Sequence, residues 1–324
     1  MFFKCTSLTN VDIPNSVMSI GEAAFQGNVK LAKVSLGEGA KIGDYAFYGN
    51  VTLKTLTLGE NAVIGAYAFY NAAGLTNVDL ANTKEVGAYA FSGSFTQDYW
   101  LNDNVWQYAY DLVMLNGQLT AIDYMYSSFA PAFAEVNLTS VTALGEGAFA
   151  NNGALNSVII GASVSAMEYN EDGVLNVIAN KIPSGAFAEC TALTTMVLPE
   201  TVTDIGAYAF YHNEKLTDVT VMAEKVKYGP YVFANCTSLK EINIPDGCTE
   251  LGYRAFYNCS SLETVNMSEN SNIETYIIKS IRISNTFLFD KFFRKNIKEG
   301  HMKKKNRKRA FAPEESRSRK KKSK

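Results

Sequence analysis

Apolar residues recur along this chain with a period much longer than one turn of helix or one step of strand. Phenylalanine, usually after alanine, marks it. Phe25, Phe47, Phe69 and Phe91 are 22 residues apart, and Phe187, Phe210, Phe233 and Phe256 are 23 apart. Phe2 precedes Phe25 by 23 residues, and Phe149 stands between the two series. Leucine follows six residues after each of these except Phe91, as at Leu31, Leu53, Leu193 and Leu262. Apolar pairs come nine and eleven residues after, such as Val34/Leu36, Val219/Val221 and Ile242/Ile244. Five residues before stands an aliphatic, usually followed by glycine, as in Ile42-Gly43, Ile205-Gly206 and Leu251-Gly252.

These offsets predict a shape. The pair at nine and eleven has the period of a strand with one buried face. Gly37, Gly59, Pro199 and Pro245 follow such pairs and end them. The Ile-Gly-x-x-Ala-Phe stretch is too short for a full helix and predicts a second extended or 3₁₀ segment with a turn on the convex side. A single coil of this kind cannot bury its apolar face, whereas stacked coils bury it against one another. The expected fold is therefore a repeat solenoid of mainly short parallel β-strands. Ten or so coils at the strand spacing would make a rod of about 50 Å.

The phrase Ile-Gly-x-x-Ala-Phe-x-x-Cys-x-x-Leu-x-x-Val-x-Ile-Pro resembles the BspA-like leucine-rich repeat of bacterial and protist surface proteins. Its fullest copies run from Ile182 to Glu200 and from Val232 to Pro245, and the resemblance covers Met1 to about Met267. It implies a solenoid of leucine-rich-repeat type. It also implies attachment or recognition, often at a cell surface or by a secreted protein, and does not imply catalysis; a protein or glycan partner is expected, and no small-molecule substrate. The opening residues do not read as a signal peptide, which leaves a cytoplasmic location as the alternative. They run straight into repeat sequence, and the pattern reads as cut at one or both ends.

Two insertions interrupt the period. The first, near 94–135, holds both tryptophans, Trp100 and Trp106, with Tyr99 and further tyrosines. Within it Leu112–Ile122 reads as strand, Asn-Gly turn and strand. It is expected either to pack as an extra hairpin or to carry partner-binding residues, because Trp and Tyr are enriched in binding hot spots. The second, near 166–181, contains another turn signal, Asp172-Gly173.

Composition changes the picture mainly through charge. The net charge of −2 conceals a division. Residues 1–267 hold 12 Lys and Arg against 26 Asp and Glu, and residues 268–324 hold 18 against 6. The sequence thus divides into a solenoid over 1–267 and a basic, largely disordered tail over 268–324. Like-charge blocks such as Lys303–Arg309 bind polyanions weakly and without sequence preference. An intracellular scaffold tethered by this tail to nucleic acid or anionic membrane is the alternative to a surface adhesin.

Candidate chemistry is sparse, and no cofactor or metal is expected. Cys5, Cys190, Cys236 and Cys259 share the position three after the phenylalanine, where other coils have Asn28, Asn50 or Asn213. That reads as a small buried ladder position, and the 23-residue spacing is the repeat period and not a zinc spacing. A bridge between Cys236 and Cys259 is conceivable in a secreted protein. The two histidines, His212 and His301, suggest no catalytic set, so an enzyme is not expected. The tyrosines at two before and one after the phenylalanine are expected to stack as ladders. Flanking the buried strand positions, eight and ten after the phenylalanine, lie outward residues, among them Asp12, Asp79, Asp218, Glu241 and Asn243. They would form a polar, acidic stripe, which is either a solvated face or a shallow recognition surface.

Overall fold

The computed structural model describes residues 2–93 and 133–267, apart from positions 15, 77, 171 and 172. It is a β-solenoid of about 9 turns. Every coil but that of Phe69 has one strand at its apolar pair: Asn10–Asp12, Lys33–Ser35, Thr55–Thr57, Glu135–Leu138, Ser157–Ile160, Thr195–Leu198, Asp218–Val221, Glu241–Ile244 and Thr264–Met267. Their pairing is parallel and keeps the repeat register, with Val11 against Val34 and Ile242 against Val265. A second strand per coil precedes the phenylalanine, for example Lys41–Ile42, Val63–Ile64, Asp204–Ile205 and Glu250–Leu251. It too pairs in parallel, Ile42 against Ile64 and Ile182 against Ile205. The second segment is thus extended and not 3₁₀, and no helix occurs among the described residues.

The core is a set of columns. The anchor phenylalanines stack without a break from Phe2 to Phe256, with ring centroids 5.1 Å apart at Phe25–Phe47 and 5.8 Å apart at Phe233–Phe256. From Phe47 to Phe256 they are fully buried. Each such burial is worth about 1.5–3 kcal/mol, and each ring pair roughly another 0.5–1.5 kcal/mol.

Backbone geometry explains why the anchor keeps its place. The residue two before it is left-handed in coil after coil: Tyr45 (φ 58°), Tyr67 (55°), Gly147 (58°), Tyr208 (58°), Tyr231 (55°) and Arg254 (55°). So is the residue two after it: Gly49 (68°), Asn71 (58°), Asn151 (60°), Asn235 (63°) and Asn258 (57°). Two left-handed residues flanking each phenylalanine fold the chain into a tight arc and aim the ring inward. Gly and Asn suit the second position because they tolerate this region, whereas tyrosine at the first carries a steric cost of about 1–2 kcal/mol. Ring stacking offsets that cost, with Tyr45, Tyr67 and Tyr89 piled at 5.0 and 5.1 Å.

The position three after the anchor also has a physical rule. From Asn152 onward its side chain donates to the carbonyl of the phenylalanine one coil back: Asn152 to Phe91 at 2.8 Å, Asn213 to Phe187 at 3.1 Å, and Cys259 to Phe233 at 3.0 Å. Asparagine and cysteine interchange there because each is a small donor. All five cysteines are free, so Cys236 and Cys259 are not bridged.

On either side of the first insertion the described chain stops at Gly93 and resumes at Phe133, which packs edge-on against Phe91 at 5.5 Å. Tyr99, Trp100, Trp106 and the strand-turn-strand reading of 112–122 lie outside the described residues. The second insertion is a hairpin arm. Ser165–Tyr169 pairs in parallel with Ala143–Gly145 and antiparallel with Leu175–Ala179. Asn170 closes the turn, its N–H donating to the Val174 carbonyl at 2.9 Å and its Oδ1 accepting from the Val174 N–H at 2.8 Å. Gly173 (φ 74°) sits within the turn, and Asn180 (φ 59°) reverses the chain back into the stack at Lys181–Ile182. The outer strand of the arm is exposed along its whole length.

Candidate binding surface

The strands at the apolar pairs form one face of the stack, in four short parallel sheets of three, two, two and two strands. Because side chains alternate across a strand, every second residue points into the core and its neighbours point out. Two outward columns result. One holds Glu135, Ser157, Thr195, Asp218, Glu241 and Thr264, and the other holds Asn137, Ile159, Val197, Thr220, Asn243 and Asn266. Asp12, Asp79, Asp218, Glu241 and Asn243 are all exposed on this face, as the periodicity predicts. They do not converge on one spot. Asp12 belongs to the first coil and Asp79 to the fourth, whereas Asp218, Glu241 and Asn243 come from neighbouring coils.

That last group is organised. The Asn266 amide donates to Glu241 Oε1 at 2.5 Å and to Asn243 Oδ1 at 2.8 Å, tying two coils together across the surface. Asp79 caps the next turn instead, accepting from the Ala81 N–H at 2.9 Å.

The face also contains what the polar stripe did not foresee. Ile159 and Val197 occupy the second column in successive coils and are 53% and 51% exposed. Met222, just past the end of the Asp218–Val221 strand, is 58% exposed. An aliphatic centre therefore lies in a surface otherwise made of polar and charged residues, with Glu135 on one side and Asp218 and Glu241 on the other. The signal for it was present in sequence: Val158-Ile159-Ile160 and Met196-Val197-Leu198 are unbroken apolar triplets whose middle member must point outward.

A shallow groove of about 560 Å³ adjoins this face between two coils, lined by Met222, Glu224, Lys225, Asn243, Pro245 and Asp246. It contains no histidine and no buried titratable group that could act as a poised base. Among the described residues no group of His, Cys, Asp and Glu is arranged to hold a metal ion. His212 meets Glu214 at 3.1 Å, an exposed pair near the turn. Burial pushes the thiols of Cys190 and Cys259 up to about 12, so they are protonated donors and not nucleophiles. The tyrosine columns are packed structures: Tyr208 stacks on Tyr231 at 4.9 Å, and the Arg254 guanidinium lies 5.1 Å from the Tyr257 ring.

Comparison with known proteins accords with this architecture. The BspA type leucine rich repeat region matches in 6 copies, over residues 1–106 and 174–288. A leucine-rich repeat protein from Bacteroides ovatus shares the fold, with a TM-score of 0.58 and 24% identity over 80% of this chain. This chain spans 59% of that protein. A leucine rich repeat protein of T. pallidum matches at TM-score 0.42 and 22% identity, over 71% of this chain and 78% of its own. A leucine rich cell surface protein from Faecalibacterium prausnitzii matches at 0.36 and 22%, over 86% and 78%. No protein of curated function matches by sequence. With the family signature over most of its length and the coil geometry that the signature demands, this chain belongs to the BspA-type leucine-rich-repeat family.

Proposed function

We propose that this chain is a non-catalytic binding protein of adhesion type, which holds a protein partner on its strand face at a cell surface. The observation that carries this reading is the Ile159–Val197 pair. Two aliphatic side chains left half in water, side by side and rimmed by polar groups, have the anatomy of an interface centre, with an apolar core and a polar rim. The flanking carboxylates Glu135, Asp218 and Glu241 favour a partner segment with an apolar anchor beside Lys or Arg. A glycan is the weaker fit, because the two described columns offer no aromatic platform. Rigid coils support the reading too, since a preformed surface loses little side-chain freedom on binding.

Trp100, Trp106 and Tyr99 are proposed as a second contact from the first insertion, on the strength of residue type alone. The basic tail is proposed to add weak, salt-dependent attraction to polyanions.

Display on a non-adherent bacterium tests the function. Cells carrying the chain should be retained on protein-coated surfaces, and Ile159→Asp/Val197→Asp should abolish retention while the array melts at the same temperature. Retention only on glycan-coated surfaces would replace a protein partner with a sugar. Equal retention by the double variant would remove the strand face from the interaction.

A further inference from the structure

The root of the hairpin arm is built from charge. Gly145 pairs with Met167, and Glu146, the first turn residue after Gly145, faces Glu168 of the neighbouring strand closely enough for their charges to interact. Glu168 is fully engaged there. Its Oε2 takes the Lys181 ammonium, and its Oε1 accepts from the Ser184 N–H at 2.8 Å and the Ser184 hydroxyl at 3.1 Å. Both side chains of the Glu168–Lys181 pair are only 15% exposed. Through Ser184 and Lys181 this one carboxylate fastens the arm to the coil that follows it.

Glu146 lies beside this knot, largely buried, with its carboxyl against the Tyr89 hydroxyl. The Tyr89 ring covers Gly147 so closely that a Cβ there would come within 2.2 Å of it. The charged and titratable groups facing Glu146 are Glu168 and Lys181 from the insertion, Tyr89 from the preceding coil, and Tyr67 one coil further. Lys181 also faces Asp204, which has Lys227 as a second cation. One ammonium therefore stands between Glu168 and Glu146.

We propose that a proton on Glu146 fastens the hairpin arm Ser165–Ala179 to the stack, and that its loss to solvent loosens the arm, making it a pH-responsive element. With Glu146 neutral, Lys181 neutralises Glu168 alone and the knot holds. When Glu146 ionises, a second negative charge competes for Lys181 and repels Glu168. The relief open to the structure is for Glu168 to move outward with the arm that carries it. Burial first, and Glu168 second, push the Glu146 carboxyl up to about 7 from 4.5. A carboxyl raised in the closed state holds its proton more tightly there than in the open state. Closure therefore weakens as pH rises between these two values and levels off above about 7. From pH 6 to pH 8 the open population should grow about tenfold. The exposed outer strand Leu175–Ala179 moves with the arm, so its presentation becomes pH-dependent. This holds whatever partner the strand face binds.

Amide hydrogen exchange on the full chain, corrected for the intrinsic pH effect, tests this at Ser184 and at Ser165, whose N–H donates to the Thr142 carbonyl of the stack at 3.0 Å. The expected result is about a tenfold rise in opening from pH 6 to pH 8, and no rise in Glu146→Gln. That variant keeps a hydrogen-bonding group for Tyr89 and has no proton to lose. A flat native protein, or an equal rise in the Gln variant, overturns the proposal. Should the variant fail to fold, carboxyl-carbon NMR of the native chain decides. Glu146 titrating near 7 with the Ser184 amide following at the same midpoint supports it, and a midpoint below about 5 or an independent Ser184 response overturns it.

Discussion

The thiol of Cys236 donates to the carbonyl of Phe210, 26 residues earlier and one coil back, at 3.2 Å. Cys190 and Cys259 make the same contact with Phe149 and Phe233. Four of the five cysteines are buried, and burial pushes Cys248 up to about 11 and Cys190 and Cys259 to about 12. At pH 8 these thiols are protonated and shielded. A thiol reagent followed by mass spectrometry should modify Cys5 alone in the native protein and all five cysteines after unfolding. Native labelling of Cys236 or Cys259 would show that the column is open.

Tyr228 takes the place in the second ladder that Ile205 fills one coil earlier, and its hydroxyl is buried without a hydrogen-bond partner. A buried polar group with no partner costs about 1–3 kcal/mol. Tyr228→Phe should therefore raise stability by about 1 kcal/mol, read as a higher urea midpoint with unchanged slope. A lower midpoint would mean that the hydroxyl has a bonding role.

Gly206, Gly229 and Gly252 stack in a column so close that a Cβ at Gly229 would sit 2.5 Å from the Ala207 nitrogen. Gly229→Ala should push two coils apart and cost about 3 kcal/mol. Gly21 occupies the same repeat position in an early coil with nothing within 4 Å, and Gly21→Ala should change stability by less than about 0.5 kcal/mol. Equal costs at the two positions in urea unfolding would refute the close-approach explanation.

Much of this architecture is readable from sequence because a solenoid repeats its evidence. Ile42-Gly43, Phe47, Leu53 and Leu56 recur in coil after coil, and each recurrence tests the same assignment. The second strand was ambiguous because two residues are too few to display a period, and only pairing such as Ile42 with Ile64 makes it a strand. The left-handed tyrosines escaped notice because tyrosine is not a residue that favours positive φ. The outward stripe was legible as polar, and Asp218, Glu241 and Asn243 are exposed where the period placed them. Ile159 and Val197 stand between the buried pairs Val158/Ile160 and Met196/Leu198, and only the alternation of buried neighbours turns them outward. The approach of Glu146 to Glu168 depends on the pairing of Gly145 with Met167, between a coil and the insertion after it, which no spacing encodes.

The strand face is the centre of the functional account, and site-directed photo-crosslinking measures it most directly. A crosslinker at Val197, within the aliphatic centre, should capture partner protein at a protein-coated surface. A crosslinker at Lys30, on the turn outside the strand columns, should capture none. Added Ile159→Asp should remove the Val197 product and leave the fold intact. Equal capture at both positions, or capture at Lys30 alone, would contradict the strand face as the binding surface.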